Sequence, residues 1–325
     1  MMRHALRALG IMSLGIGVLF VFGPREPVVV DVRFDPKRFE QGVAAYFEQA
    51  EADVPNLRER AQKRVIWAGR AEEITPLSVV YMHGFSASSE EIRPVPDAVA
   101  AALGANLVYT RFKGHGRDGE AMATARVQDW MRDAAEALAA ARAVGDEVLV
   151  IATSTGASVA TAALAQPDLG ENVVGAVFVS PNFGINNAVA PLLTWPAARH
   201  WLPLLAGKRR SFEPMNEQQG AHWTTEYPSV AVFPMAAIVK HAANLDHGKI
   251  TVPALFYFSD KDAVVDASET VRVAGRWGAR VTRGYPDLRE GDDPLAHVIA
   301  GAIMAPGNTD AAIKRILEWV ATLRR

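Results

Sequence analysis

From Val65 onward, short β-rich apolar runs alternate with stretches of helical character along the chain. The runs are Val79–Met82, Leu107–Phe112, Val148–Ala152, Val173–Val179, Leu255–Phe258 and Arg280–Tyr285. Such alternation predicts a mostly parallel sheet covered on both faces, and open sheets of this kind hold ligands beyond the carboxyl ends of their strands. Ahead of the sheet, residues 35–63 mix Phe39, Tyr46, Phe47 and Leu57 with charged residues at helix-like intervals, which predicts amphipathic helices beside the main domain. Between Ser180-Pro181 and Thr251 lies a stretch too long for a simple crossover, carrying Trp195, Trp201, Trp223, Phe233 and Met235. It reads as an inserted helical cap, a common form for lids and binding elements.

The first two dozen residues differ in kind. After Arg3, His4 and Arg7, an uncharged and largely apolar run extends from Ala8 to Pro24. As a helix it would reach about 26 Å, a little short of a hydrocarbon core of about 30 Å. No A-x-A-like cleavage pattern follows, so an uncleaved N-terminal membrane anchor is expected rather than a removed signal peptide. The periplasmic or extracytoplasmic face is favoured, with the orientation left open because Arg25, Arg33, Lys37 and Arg38 follow the segment.

One apolar run stops at a serine. Val148 to Ala152 leads into Thr153-Ser154-Thr155-Gly156 and then into a helical stretch. The pattern G-x-S-x-G places a nucleophilic serine on a tight strand-to-helix turn, where small neighbours let the backbone fold sharply. Here the last glycine is present as Gly156 and the first is replaced by Ala152. The alternative is that Ser154 merely caps the following helix.

A serine hydroxyl needs a base to take its proton and an acid to hold that base. In α/β-hydrolases the chain order is serine, acid, histidine, with an oxyanion loop upstream. Every station is filled. Val79–Met82 ends in His83-Gly84-Phe85, Ala254–Phe258 ends in Ser259-Asp260-Lys261-Asp262, and His297 is the one histidine beyond them. Over residues 65–323 the chain resembles the α/β-hydrolase superfamily of serine hydrolases, in particular its carboxylesterase and monoacylglycerol-lipase or lysophospholipase-like branch. The resemblance rests on His83-Gly84-Phe85, on Gly114-His115-Gly116 after the next strand, on Trp130 with Asp133, and on the Ser154 turn. Thr153 departs from the branch, which often carries histidine there.

The resemblance implies an α/β-hydrolase core over 65–184 and 251–325, and the pattern of residues adds a helical cap over 185–250, an N-terminal helical extension over 25–64 and a membrane anchor or uncleaved signal segment over 1–24. The resemblance further implies Ser154 as nucleophile, His297 as general base and Asp262 as orienting acid. Asp262 is chosen because Asp262-Ala263-Val264-Val265 matches the branch's Asp-x-Val-Val pattern, with Asp260 as runner-up. Asp266 with Glu269 reads as a helix capping box, and Asp292 and Asp293 as exposed loop acids. The backbone N–H groups of Phe85 and Thr155 are the expected oxyanion donors. His83 is expected to anchor its turn, His115 to organise its loop, and Ser86, Ser88 and Ser89 to cap the next helix.

Composition narrows the field further. A formal net charge of -2 gives no reason to expect a nucleic-acid partner, and Lys208-Arg209-Arg210 reads as a solvated loop. Cysteine is absent, which rules out disulfides, thiolate catalysis and cysteine-based zinc sites. The expected activity is hydrolysis of small or medium carboxylic esters, with a small-molecule ester as partner and neither cofactor nor metal. The alternatives are an amidase, peptidase or thioesterase using the same residues, or an inactive membrane-tethered binding protein.

Overall fold

The computed structural model describes residues 17–323. Most of the expected anchor therefore lies outside the described residues. Its described part, residues 17–22, is helical and exposed, and among the described residues no helix is long and apolar enough to cross a membrane.

Seven strands form one sheet in the order β1-β3-β2-β4-β5-β8-β9. They are β1 (Arg64–Ile66), β2 (Thr75–Met82), β3 (Asn106–Tyr109), β4 (Gly145–Thr153), β5 (Val173–Val179), β8 (Ala254–Tyr257) and β9 (Val281–Gly284). Every pairing is parallel except β1 with β3, which is antiparallel. The short edge strand β1 is the element that periodicity did not single out. In the middle of the sheet successive residues face opposite cores. Val80, Met82, Val150, Ala152, Phe178 and Phe256 join one buried cluster, while Val79, Tyr81, Leu149, Ile151, Val177 and Leu255 join the other. Because both faces are covered, these strands read as unbroken apolar runs.

The first core is closed by helices α1 (Val43–Ala52), α3 (Val127–Val144), α4 (Thr155–Leu164) and α6 (Val232–Ala243), and the second by α2 (Val95–Leu103) and α8 (Thr309–Ala321). Helix α7 (Ala267–Ala274) follows β8 and contributes Val273 and Ala274 to the first core. Val43 and Phe47 are buried in that core as well, so the N-terminal extension is a structural layer of the hydrolase domain. A bidentate ion pair of Arg111 with Glu51, at 2.7 and 2.9 Å, ties α1 to the loop after β3.

The insertion differs from an all-helical cap over 185–250. It holds helix α5 (Ala198–Ala206) and a two-stranded antiparallel ribbon of β6 (Arg209–Ser211) and β7 (Glu226–Pro228), so the Lys208–Arg210 cluster is partly strand. Arg209 bonds Glu226 and Glu120. Helix α6 belongs to the core, because Ile238, Ala242 and Ala243 are buried against it. The reason is topological: β5 and β8 are parallel neighbours, and their crossover needs a helix that packs back on the sheet. Of the insertion, Ile185, Phe212, Glu213, Met215, Gln219, Trp223 and Tyr227, with Met235 of α6, line the space beyond the strand ends.

Candidate active site

Ser154 occupies the turn between β4 and α4 with φ 50° and ψ −120°. A non-glycine residue in this region costs on the order of 1–3 kcal/mol and persists only where its surroundings impose it. Here the Ser154 N–H donates to Val179 O at 3.0 Å, and Ser154 O accepts from the N–H groups of Ala157 and Asn182, both at 3.0 Å. Gly156 is required by close approach, since a Cβ there would sit 2.4 Å from the carbonyl oxygens of Met82 and His83. No such demand exists at position 152, where the alanine methyl joins the core beneath the strand. The Ser154 side chain makes no helix-capping bond, so the capping alternative does not describe its hydroxyl.

That hydroxyl lies 3.0 Å from Nε2 of His297, and Nδ1 of His297 lies 2.8 Å from Oδ2 of Asp262. With Nδ1–H donating to the carboxylate, Nε2 is left free to accept the serine proton. The second oxygen of Asp262 accepts from the N–H groups of Val264 and Val265 at 2.8 and 2.9 Å, which locks the carboxylate in place. Burial opposes charge on His297, but the hydrogen bond and charge of Asp262, aided by Glu91 and Asp293, outweigh it and raise its pKa above the usual histidine value. Asp260 is exposed and stands apart from this chain of contacts.

Two expectations for the neighbouring acids fail. Asp292 and Asp293 are buried, at 8% and 5% exposure. Asp293 accepts from the N–H groups of Leu295, His297 and Val298, and thereby shapes the loop that carries the histidine. Asp292 accepts from Arg289 and Gly307. Aspartates flanking a loop turn inward when free backbone N–H groups need acceptors, and a polar sequence conceals this. Asp266 does cap α7 by accepting from Ser268 N, but Glu269 turns to Arg272, so no capping box forms. Nor do Ser86, Ser88 and Ser89 cap a helix: an irregular turn follows them, α2 begins only at Val95, and Ser89 instead donates to Arg60 O.

The His83-Gly84-Phe85 turn lies beside Ser154. His83 donates from Nδ1 to Gly84 O at 2.9 Å and accepts at Nε2 from Phe112 N–H at 3.2 Å. Among the described residues, the N–H groups of Phe85 and Thr155 find no protein acceptor. Thr155 opens α4, whose N-terminus favours negative charge. The Trp130–Asp133 pair acts on the next loop: Trp130 donates to Lys113 O at 3.0 Å and Asp133 accepts from Lys113 N–H at 2.7 Å, next to Gly114-His115-Gly116. His115 packs edge-on against Phe85 and Trp130.

Burial lowers the His83 pKa to about 4 and pushes that of His115 down as well. The unfolded chain, with histidines near 6.5, therefore takes up protons that the folded chain refuses. Stability is unaffected by these groups above pH 6.5 and is lost as pH falls from about 6.5 toward 4. For His83 the loss is about 3 kcal/mol. Denaturant titrations at neutral pH and near pH 4 are expected to show this slope, and His83→Gln, which cannot take up the proton, to flatten it.

The strand ends and the insertion enclose a cavity of about 360 Å³. Its walls include Ser154, His297, Phe85, Trp223, Met235 and Met304. Of the five large residues singled out in the insertion, Trp223 and Met235 face this cavity. Phe233 is core, Trp201 donates to Pro196 O, and Trp195 is exposed. Among the described residues, no group of three or more His, Asp or Glu side chains is arranged to hold a metal ion. One site-lining residue that no sequence pattern marked is Glu91, a buried carboxyl that accepts from Gly84 N–H.

A doubly covered, mostly parallel sheet with a strained serine at one strand end and a histidine–aspartate pair beside it is the arrangement of an α/β-hydrolase of the serine type. The sequence profile of the serine aminopeptidase, S33 family matches residues 76–285, and the chain belongs to that family. No curated protein sequence matches it. Among solved structures, it is similar to one reported with two metagenome-derived lipolytic enzymes, LipS and LipT, at 17% identity and a TM-score of 0.65 over 82% of this chain and 99% of that one. A soluble variant of monoglyceride lipase from Saccharomyces cerevisiae gives 10% and 0.61 over 81% and 91%. The monoacylglycerol lipase of Paleococcus ferrophilus gives 12% and 0.55 over 80% and 98%.

Proposed function

We propose that the protein hydrolyses carboxylic esters with a small or medium apolar acyl group, through an acyl-enzyme on Ser154. The observation that carries this reading is the hydrogen-bonded series Ser154–His297–Asp262 opening on a mostly apolar cavity. In the first half-reaction, His297 Nε2 takes the hydroxyl proton as Ser154 Oγ attacks the ester carbonyl. The oxyanion is received by the N–H groups of Phe85 and Thr155, and the alcohol leaves with the proton from His297. Water, deprotonated by the same nitrogen, then releases the acid and restores the serine. Asp262 holds the imidazole in the tautomer that both halves need. The volume of about 360 Å³ lies near the lower end for small-molecule sites, which favours short and medium chains.

A p-nitrophenyl ester series from acetyl to palmitoyl, run beside aminoacyl amides and acyl-CoAs, is expected to peak on short or medium esters. Strong amide turnover with negligible ester turnover would reject the reading in favour of an amidase or peptidase.

We also propose that residues 1–24 tether the chain to a membrane. Val18, Leu19, Phe20, Val21 and Phe22 are exposed, and so are Leu204 and Leu205 of α5. The chain just beyond is held on the insertion by Glu26, which pairs with Arg199. The full chain is expected to sediment with membranes and to be released on deletion of residues 1–24. A full chain that stays in the supernatant would contradict the tether.

A further inference from the structure

Glu91 is 2% exposed and has no part in the relay of Ser154, His297 and Asp262. Its Oε2 accepts from Gly84 N–H at 2.7 Å and from the Tyr81 hydroxyl at 2.9 Å. The Tyr81 hydroxyl also lies 3.2 Å from Thr153 Oγ1, one residue before the nucleophile. One carboxyl oxygen thus links the turn after β2 to the end of β4. Its own backbone is clamped: Gly301, at φ +100°, lets the loop that carries His297 press on Ile92, where a Cβ would come within 2.6 Å of Ile92 Cα.

This carboxyl holds the N–H of the His83–Gly84 peptide, and the next peptide along, between Gly84 and Phe85, carries the Phe85 N–H. In a planar trans peptide, C=O and N–H point in opposite directions. With Gly84 O drawn to His83 Nδ1, the Phe85 N–H is turned the other way. A glycine can still rotate about its own bonds more freely than any other residue, so one anchored carbonyl leaves the turn loose. The Gly84 N–H bond to Glu91 supplies the second anchor. Glycine is needed in its turn, because a Cβ at position 84 would lie 2.6 Å from Glu91 Oε1 and 3.2 Å from Ser154 Cβ.

We propose that Glu91 is a positioning residue, whose carboxyl fixes the Gly84–Phe85 peptide so that the Phe85 N–H meets the oxyanion formed on Ser154. The inference rests on the reading of Ser154 as nucleophile and Phe85 as oxyanion donor. Volume alone gives no reason for a carboxyl here; what requires it is an acceptor, since an apolar side chain would leave the buried Gly84 N–H unpaired. Burial raises the Glu91 pKa, and the hydrogen bonds from Gly84 and Tyr81 counter that rise.

The test compares Glu91→Leu and Glu91→Gln in the full chain, by steady-state kinetics on the best ester and by the rate at which a fluorophosphonate labels Ser154. Leucine is expected to lower kcat by about 10- to 100-fold with KM changed less than about threefold, somewhat less than outright loss of an oxyanion donor. The labelling rate should fall with kcat. Glutamine, which keeps an acceptor for both Gly84 N–H and the Tyr81 hydroxyl, should restore kcat to within about threefold of the parent. A leucine variant with parental kcat and labelling rate, or one altered in KM alone, would overturn the proposal. Should it fail to fold, Tyr81→Phe removes one of the two bonds on the carboxyl; reduced kcat at constant KM supports the proposal and parental kcat refutes it. A parent chain that the fluorophosphonate leaves unlabelled would instead sink the nucleophile assignment.

Discussion

Replacing Ser154 with alanine is expected to lower ester turnover by on the order of 10⁶-fold and to abolish covalent labelling by a fluorophosphonate. The size of the effect follows from the absence of a substitute. Ser158, one turn further along α4, donates to Asn182 O and is fully buried, while Ser88 and Ser89 lie in the turn after the oxyanion loop and are buried as well. Among the described residues, Ser154 is the serine hydrogen-bonded to the imidazole, at 3.0 Å. Intact-mass spectra of the labelled parent and variant read the result directly. Label retained on the alanine variant, or found on another serine, would remove the basis of the acyl-enzyme. A parent that resists labelling would favour an inactive binding protein on this fold.

The second large effect is expected at Asp262. Changing it to asparagine should lower turnover by on the order of 10⁴-fold, whereas Asp260→Asn should leave turnover near the parent value. The reason is a matter of donors. Val264 and Val265 both present N–H groups to one oxygen of the carboxylate, so the amide oxygen of an asparagine would settle there. Its NH₂ would then face His297 Nδ1 and favour the tautomer protonated at Nε2, which cannot accept the serine proton. The pH profile supplies a check with a definite sign. The base works when neutral, so kcat/KM rises with pH through the pKa of His297. That pKa is raised, placing the acid limb above pH 6.5, and loss of the Asp262 charge should move it down. Equal losses for the two asparagine variants would overturn the choice of Asp262.

Much of the fold could be read along the chain because a sheet buried on both faces leaves a simple trace. Val148–Ala152 and Val173–Val179 contain no polar residue, and they lie in the neighbouring parallel strands β4 and β5. The short strand β1 was harder to see, since Arg64–Ile66 lies at an edge and is only partly buried. The insertion misled for a different reason. Its aromatic residues share one composition, yet Trp223 lines the cavity, Phe233 belongs to the core and Trp195 is exposed. The polar residues were least legible. Asp292 and Asp293 look like any solvated pair until the loop is seen to close around them, and Glu91 sits in a run of serines and glutamates that reads as surface.

By itself the sequence determined the strand succession, the small residues of the Ser154 turn, and the chain order of serine, aspartate and histidine. These are local properties, set by side-chain size, hydropathy and order. Only the tertiary structure decided which of Asp260 and Asp262 meets His297, which acids turn inward, and which carboxyl accepts from the Gly84 N–H. Those outcomes depend on side-chain contacts such as that of Asp262 with His297, 35 positions apart, and whether a polar group faces water or an N–H donor is decided only when such segments meet.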